Sequence, residues 1–507
     1  MVTPGSLLDD FPRGDPNRAL EALAPPAAFF ARTDSVRSAQ SLSYINGRVF
    51  LGVAGAEIRE ERRADGSIER HALGGTALGI SDDRHMITIA GTRAGKGRSV
   101  IVPNMLYYPG SVLATDPKGE LARITARCRS EGLRQNVHVL DPFGVAKGAA
   151  EAMRKGFNPL KAMRPDSLVE DAALIADALV VVAGNDPHWD ESARAFIEGV
   201  ILHAVTDAGL KDRASLVTVR ELIGVGQRGE DGKPSMPVLE GAMRCNPGAD
   251  GVVQTAAADF FDKPRKEQES VLSTARRHLK FLDLPAIRAV VQGHDFDLAD
   301  LKREPTTIYL CLPARHIGTC SRWLRLFVNL TLQAMEREDG PPAGGVPLLC
   351  CLDEFASLGH MRQIEDAAGQ IAGFGVKLWP VLQDIGQLKT LYKDRWETFM
   401  GNAGVLQFFG NNDLTTLEWI SKRLGKTSIR ARRDAALTRD QVGRGGTGES
   451  WATEVYDLLG PDEVARFFGR DDPLLRQLII FAGRRPPVVI QRAYYDKHGL
   501  FRGEFDE

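Results

Sequence analysis

Between residues 86 and 140 short apolar runs alternate with amphipathic stretches. Met86-Ile87-Thr88-Ile89-Ala90 is brief and rich in β-branched side chains, which predicts a strand buried on both faces. Residues 111–115 and 136–140 are two more such runs, each followed by an aspartate and a proline, Asp116-Pro117 and Asp141-Pro142. A helix is expected from about Lys96 to Leu106. Strands and helices in this alternation predict a parallel sheet with ligands at the carboxyl ends of its strands.

The strand rhythm stops near Pro159. From Ser167 to about Val291 apolar residues recur at three and four, as in Leu168, Ala172, Ile175, Ala176 and Leu179, or Phe196, Ile197, Val200 and Ile201. That spacing predicts a run of amphipathic helices. Strand patterns resume at 307–312, 348–352, 376–382 and 405–409, and 478–481 with 488–490 close the series. The expected fold is therefore α/β: a nucleotide-binding domain made of residues 46–160 and 292–507, interrupted by an all-helical insert at 161–291. Residues 1–45 are rich in Pro, Ala and Asp without a period and predict an irregular arm. The runs 48–53 and 68–72, on either side of the turn Ala64-Asp65-Gly66, predict a hairpin leading into the core. Residues 430–450 interleave Arg430, Arg432, Arg433, Arg439 and Arg444 with Gly443, Gly445, Gly446 and Gly448, which predicts a flexible Arg/Gly-rich loop between two strands.

Bulk composition narrows the partners. The 507 residues carry a net charge of −2, so nucleic-acid contacts must come from local patches or from the lining of an oligomer. Six cysteines form no C-x-x-C pair, and Cys311, Cys350 and Cys351 lie inside apolar strands, which predicts buried thiols of a reducing compartment. Asp9, Asp10, Arg13 and Asp15 break up the N-terminus before an apolar run develops, so no signal peptide is expected. No stretch approaches the ~20 apolar residues of a spanning helix. The expected location is cytoplasmic, or peripheral at the cytoplasmic face of a bacterial inner membrane through partners.

The chemistry concentrates after the first strand. Gly91, Gly95 and Gly97 let successive N–H groups turn inward on an anion at the positive end of the following helix, and Lys96 adds a mobile cation. The candidate phosphate-binding set is Gly91, Thr92, Arg93, Ala94, Gly95, Lys96, Gly97 and Arg98. Against the usual G-x-x-x-x-G-K-[ST] pattern, Ala90 stands at the first glycine and Gly97 at the hydroxyl position. A second signal lies about 250 residues on, where the apolar run 346–352 ends in Asp353-Glu354. Asp353 would hold Mg²⁺ through water, and Glu354 would orient or deprotonate the attacking water. Together the two motifs predict an ATP hydrolase, with Lys96, Glu354 and Gln383 as catalytic candidates.

Several residues admit two readings. Gln383, at the end of the strand after Asp353-Glu354, is either a sensor of the γ-phosphate or a turn amide. Asp116 either touches the metal or the water, or caps the turn after its strand. Ser99 either supplies the missing hydroxyl or packs in its helix. Arg93, Arg423 and Arg485 are candidates for the cation that a ring ATPase takes from a neighbouring subunit. The basic clusters Lys263, Arg265, Lys266 and Arg276, Arg277, His278, Lys280 are either solvated helix faces or substrate contacts. Trp189 is expected as a packing anchor of the helical insert.

These residues resemble the coupling-protein ATPases of conjugation and type IV secretion, the TraG/TraD family. Thr92-Arg93-Ala94-Gly95-Lys96-Gly97 with Ile101-Val102-Pro103-Asn104 is similar to that family's form of the loop, which accounts for Gly97. Residues 111–120, Asp141-Pro142-Phe143, Phe157-Asn158-Pro159-Leu160, Leu352-Asp353-Glu354-Phe355, Gln383-Asp384 and Gly401-Asn402-Ala403 fit as well. The resemblance covers roughly residues 70–495. It implies a RecA-like motor domain, an all-helical domain, and a hexameric ring that passes relaxase-bound single-stranded DNA or an effector protein to a type IV secretion channel. Members of the family usually begin with two transmembrane helices, and no such helices are read here. Two alternatives keep the same core: a nucleotide-switched substrate receptor or adaptor without motor activity, and another P-loop DNA translocase.

Overall fold

The computed structural model describes residues 28–45, 47–182, 187–434, 449–483 and 485–506. Its strands, in chain order, are β1 (Val49–Ala54), β2 (Glu57–Arg62), β3 (Ile68–Leu73), β4 (Thr76–Ile80), β5 (His85–Ala90), β6 (Val112–Asp116) and β7 (Asn136–Leu140). Next come the two-residue pair β8 (Gln227–Arg228) and β9 (Pro234–Ser235), then β10 (Thr306–Cys311), β11 (Leu348–Leu352), β12 (Val376–Leu382) and β13 (Ala403–Phe409). The last are β14 (Lys426–Asp434), β15 (Glu449–Asp457), β16 (Arg476–Phe481) and β17 (Val488–Gln491). The chain forms two compact units, one made of Gly110–Val376 and the other of the chain on either side of it.

In the flanking unit β5 lies between β12 and β13, parallel to both. Antiparallel strands β16, β17, β1 and β4 extend the sheet beyond β13. Every residue of β5 is buried, as its unbroken apolar run requires, and burying a side chain such as Ile87 or Ile89 contributes about 1.5–3 kcal/mol. In the other unit β6 pairs in parallel with β11 and β10, and β10 with β7. Helices occupy the chain between β7 and β10, from Leu168–Leu179 to Pro285–Gln292, where the period of three and four places them. Among the described residues no helix is long and apolar enough to cross a membrane.

Three expectations meet a different structure. Residues 68–72 do form a hairpin strand, but β3 pairs with β2, not with 48–53. Gly55, at φ 70°, turns the chain after β1, and β2 is almost wholly exposed, so it shows no apolar alternation to read. The expected irregular arm holds the helix Thr33–Ser38, too short for its period to appear. β14 and β15 carry paired backbone into the expected Arg/Gly loop, with Arg430 opposite Thr453 and Arg432 opposite Trp451. Residues 435–448 of that segment lie outside the described residues.

Candidate functional site

The glycine-rich turn after β5 is shaped by close approaches. A Cβ at Gly91 would lie 1.9 Å from the carbonyl oxygen of Gly410, the residue after β13. Gly410 in turn has φ 68° and faces Ala94, so two strand ends meet at positions where only glycine fits. Arg93 adopts φ 58° and Gly95 φ 90°, the left-handed region that curls the chain so that neighbouring N–H groups converge. Lys96 stands immediately before the wide helical turn Gly97–Ile101, which runs into the helix Val102–Tyr107. The loop thus has the form of an anion nest at a helix amino end.

Two side chains fix it from outside. Arg492, fully buried after β17, donates from Nη1 to the Ala94 carbonyl at 2.7 Å and from Nε to Leu475 at 3.3 Å, with Phe409 beneath it. The ring of Tyr494 covers Gly95, and the Arg98 guanidinium lies 4.4 Å from that ring's centre. Arg98 is held by Asp496 at 3.0 Å and Glu69 at 2.9 Å, and Arg63 together with Arg98 draws the Glu69 carboxyl down to about 2. The Arg98 side chain is therefore committed to carboxylates. Ser99 donates to the Gly95 carbonyl at 2.9 Å, the in-helix reading of that hydroxyl.

Gln383, at the end of β12, accepts a 3.0 Å hydrogen bond from the Thr92 hydroxyl, and Asn411 donates to the Gln383 carbonyl at 3.1 Å. The structure thus brings Gln383 to the phosphate loop. A cavity of about 660 Å³ opens here, lined by Thr92, Gln383, Asn411, Asp413, Arg466 and Arg470. Its volume falls within the roughly 300–1,000 Å³ of small-molecule sites, and the buried Oδ1 of Asn411 has no hydrogen-bond partner. Sequence reasoning missed Gly410, Asn411, Arg492 and Tyr494. Arg492 stands just past the end of β17, where a charge is ordinarily read as exposed, so its burial left no local signal.

Asp353 and Glu354 belong to the other unit, at the tip of the fully buried β11. Thr115 donates to the Asp353 carbonyl at 2.8 Å, and the Glu354 N–H donates to Asp353 Oδ1 at 3.0 Å. Glu354 takes φ 52°, a left-handed conformation unusual outside glycine and common at functional turns. Among the described residues no group of three His, Cys, Asp or Glu side chains could hold a metal by itself. The Asp353 carboxylate offers the hard oxygen ligand that suits Mg²⁺.

Asp116 is buried and accepts from the Ala122 N–H at 2.9 Å and the Lys118 N–H at 3.3 Å, which is the capping reading. Desolvation pushes its pKa up to about 6 against those hydrogen bonds. The basic clusters divide: Lys263 pairs with Glu267 and Arg276 donates to the Ile223 and Gly224 carbonyls, whereas Arg265, Lys266, Arg277 and Lys280 are exposed. Trp189 is 37% exposed and does not anchor the insert. Asp190 does, buried between His278 at 2.8 Å and Arg277 at 2.9 Å.

Comparison with known proteins agrees over most of the chain. The family model described as Type IV secretory system Conjugative DNA transfer matches residues 49–504. A conjugal transfer protein TraG of Escherichia coli is 30% identical over 452 residues, 83% of this chain and 68% of that protein. Protein VirD4 of Agrobacterium fabrum is 26% identical over 439 residues, 85% of this chain and 62% of its own length. Among solved structures, the bacterial conjugative coupling protein TrwBdeltaN70 superposes with a TM-score of 0.64 at 16% identity, covering 93% of this chain and 95% of that one. TrwB in complex with the non-hydrolysable ATP analogue ADPNP gives 0.61 at 17%, covering 94% and 96%. The likeness in structure bears out the RecA-like P-loop fold with an all-helical domain.

Proposed function

The chain belongs to the type IV secretion family of conjugative DNA-transfer proteins, and from that premise we propose that it is the ATP-hydrolysing coupling protein of such a system. In this reading it recruits single-stranded DNA with its bound relaxase, or an effector protein, and drives it to the secretion channel from a hexameric ring at the cytoplasmic face of the membrane. The observation that carries the reading is the Gly91–Gly410 closure, which holds the loop Gly91 to Arg98 as an anion nest on a buried parallel strand.

Each residue then has a role. The loop N–H groups cradle the phosphates, and Lys96 neutralises the outer ones. Gln383 reports on the γ-phosphate through its hydrogen bond with Thr92. Glu354 would orient the attacking water and take its proton, and Asp353 would hold Mg²⁺. Mg²⁺, when bound with the nucleotide, offsets charge on the phosphate oxygens. TrwB has been solved with ADP and Mg²⁺, which supports the same pair of ligands for this chain.

Lys96→Ala and Glu354→Gln test the reading together. Loss of the ammonium should weaken nucleotide binding at least tenfold and abolish turnover. The amide should keep ATP bound near wild-type affinity and lower turnover by two or more powers of ten, because it retains shape and loses only the base. Wild-type turnover by Glu354→Gln would remove its assigned role.

A further inference from the structure

We propose that Arg325 is a positioning residue that ties the carboxyl end of helix Leu168–Leu179, in the helical domain, to the segment carrying Glu354, so that the state of the helical domain sets the turnover rate. The inference rests on the hydrolase reading above. Arg325 lies within helix Ala314–Arg337 and is 5% exposed. Its Nη1 donates to the carbonyls of Leu358 at 3.1 Å and His360 at 2.5 Å, and its Nε to the carbonyl of Ala178 at 3.3 Å.

The two ends of this clamp are both places that need it. After Glu354 the chain makes a single turn, Phe355–Leu358, and leaves through Gly359 at φ 71°. Within that segment Ser357 N–H bonds to the Glu354 carbonyl at 2.8 Å and Gly359 N–H to Ala356 at 3.2 Å. Arg325 adds carbonyl contacts on both sides of Gly359. At the other end, Ala178 sits in the last turn of its helix, where carbonyls have no intrahelical N–H and a cation is favoured by the helix dipole. One turn back on the same face of the arginine-bearing helix, Arg322 meets His278 Nδ1 at 3.2 Å, and His278 shares Asp190 with Arg277. Helix Ala314–Arg337 therefore grips the helical domain at two points, and at one of them the same guanidinium holds the Glu354 segment.

The geometry suits arginine specifically. A planar guanidinium with donors on three nitrogens spans carbonyls that a lysine ammonium, with one nitrogen, cannot reach together. A misplacement of about 1 Å in a residue acting on the attacking water costs on the order of a hundredfold in rate. Loosening the clamp should therefore spare nucleotide binding and depress turnover and its response to DNA.

The full chain carrying Arg325→Lys tests this, with Arg325→Gln as a second variant. Affinity would be read with a fluorescent ATP analogue and Mg²⁺, turnover as kcat and KM with and without single-stranded DNA, and backbone opening by hydrogen exchange. The expected result is affinity within twofold of wild type, kcat lower by at least tenfold, a DNA stimulation reduced to near unity, and faster exchange confined to 355–361 and the end of helix Leu168–Leu179. A folded Arg325→Lys with kcat and DNA response within twofold of wild type overturns the proposal. So does a general loss of the native fold in both variants, which would make Arg325 a residue of the fold alone. A wild-type protein that binds the analogue but shows no turnover would instead overturn the hydrolase reading.

Discussion

Gly91 and Gly97 lie six residues apart in one loop and have opposite tolerance for a methyl group. A Cβ at Gly91 meets the Gly410 carbonyl at 1.9 Å, whereas a Cβ at Gly97 meets nothing within 4 Å. Gly91→Ala should therefore destabilise the protein by about 1–3 kcal/mol and weaken nucleotide binding at least tenfold, since the loop must shift to admit the methyl. Gly97→Ala should fold as well as wild type or better by up to about 1 kcal/mol, because the glycine opens a helical turn. Thermal unfolding and a nucleotide titration of both variants check the contrast, and equal behaviour of the two would contradict it. The glycines and Lys96 were legible as a candidate phosphate loop from residues 91–98 alone. Which glycine is sterically required was not, because the answer lies at Gly410, more than three hundred residues away. Arg492 and Tyr494 were hidden for the same reason: they act on the loop through contacts that no local pattern records.

At the scale of elements, the fully buried strands were readable and the exposed ones were not. β5, β11 and β12 fall where their apolar runs predict, whereas β2 is polar and exposed and forms where a partner strand satisfies its backbone. The cap on helix Glu120–Arg127 is another feature of packing. Asp116 closes β6 and accepts N–H groups of the next turn from a site so desolvated that its pKa rises to about 6. A raised carboxyl pKa means that the folded state holds a proton the unfolded chain has already lost. Stability from this group is fully present below about pH 4 and is lost as pH rises through about 6. Relative to wild type, Asp116→Asn should therefore gain stability between pH 4 and pH 7, by at most about 3 kcal/mol for a shift of roughly two units. Denaturant unfolding of the pair across that range checks the sign, and a difference that stays constant or reverses with pH would refute it.

For the whole molecule, charge decides where DNA can be held. The net charge is −2, and of the basic clusters of the helical domain Arg276 is spent on the Ile223 and Gly224 carbonyls, while Arg265, Lys266, Arg277 and Lys280 stay exposed. In the proposed ring, such cations from several subunits together hold the polyanion around a shared channel. Arg98, the cation nearest Lys96 in the chain after it, is bound by Asp496 and Glu69, so another cation must meet transition-state charge, and the proposed ring takes it from a neighbouring subunit. Both arguments tie hydrolysis to assembly. The direct measurement is ATP turnover per subunit across a range of protein concentrations, with and without single-stranded DNA and at two salt concentrations. The account predicts a rate that rises with protein concentration, rises again with DNA, and loses the DNA response as salt increases, as counterion release requires. A rate per subunit that is independent of concentration and indifferent to DNA would contradict it and favour a nucleotide-switched adaptor.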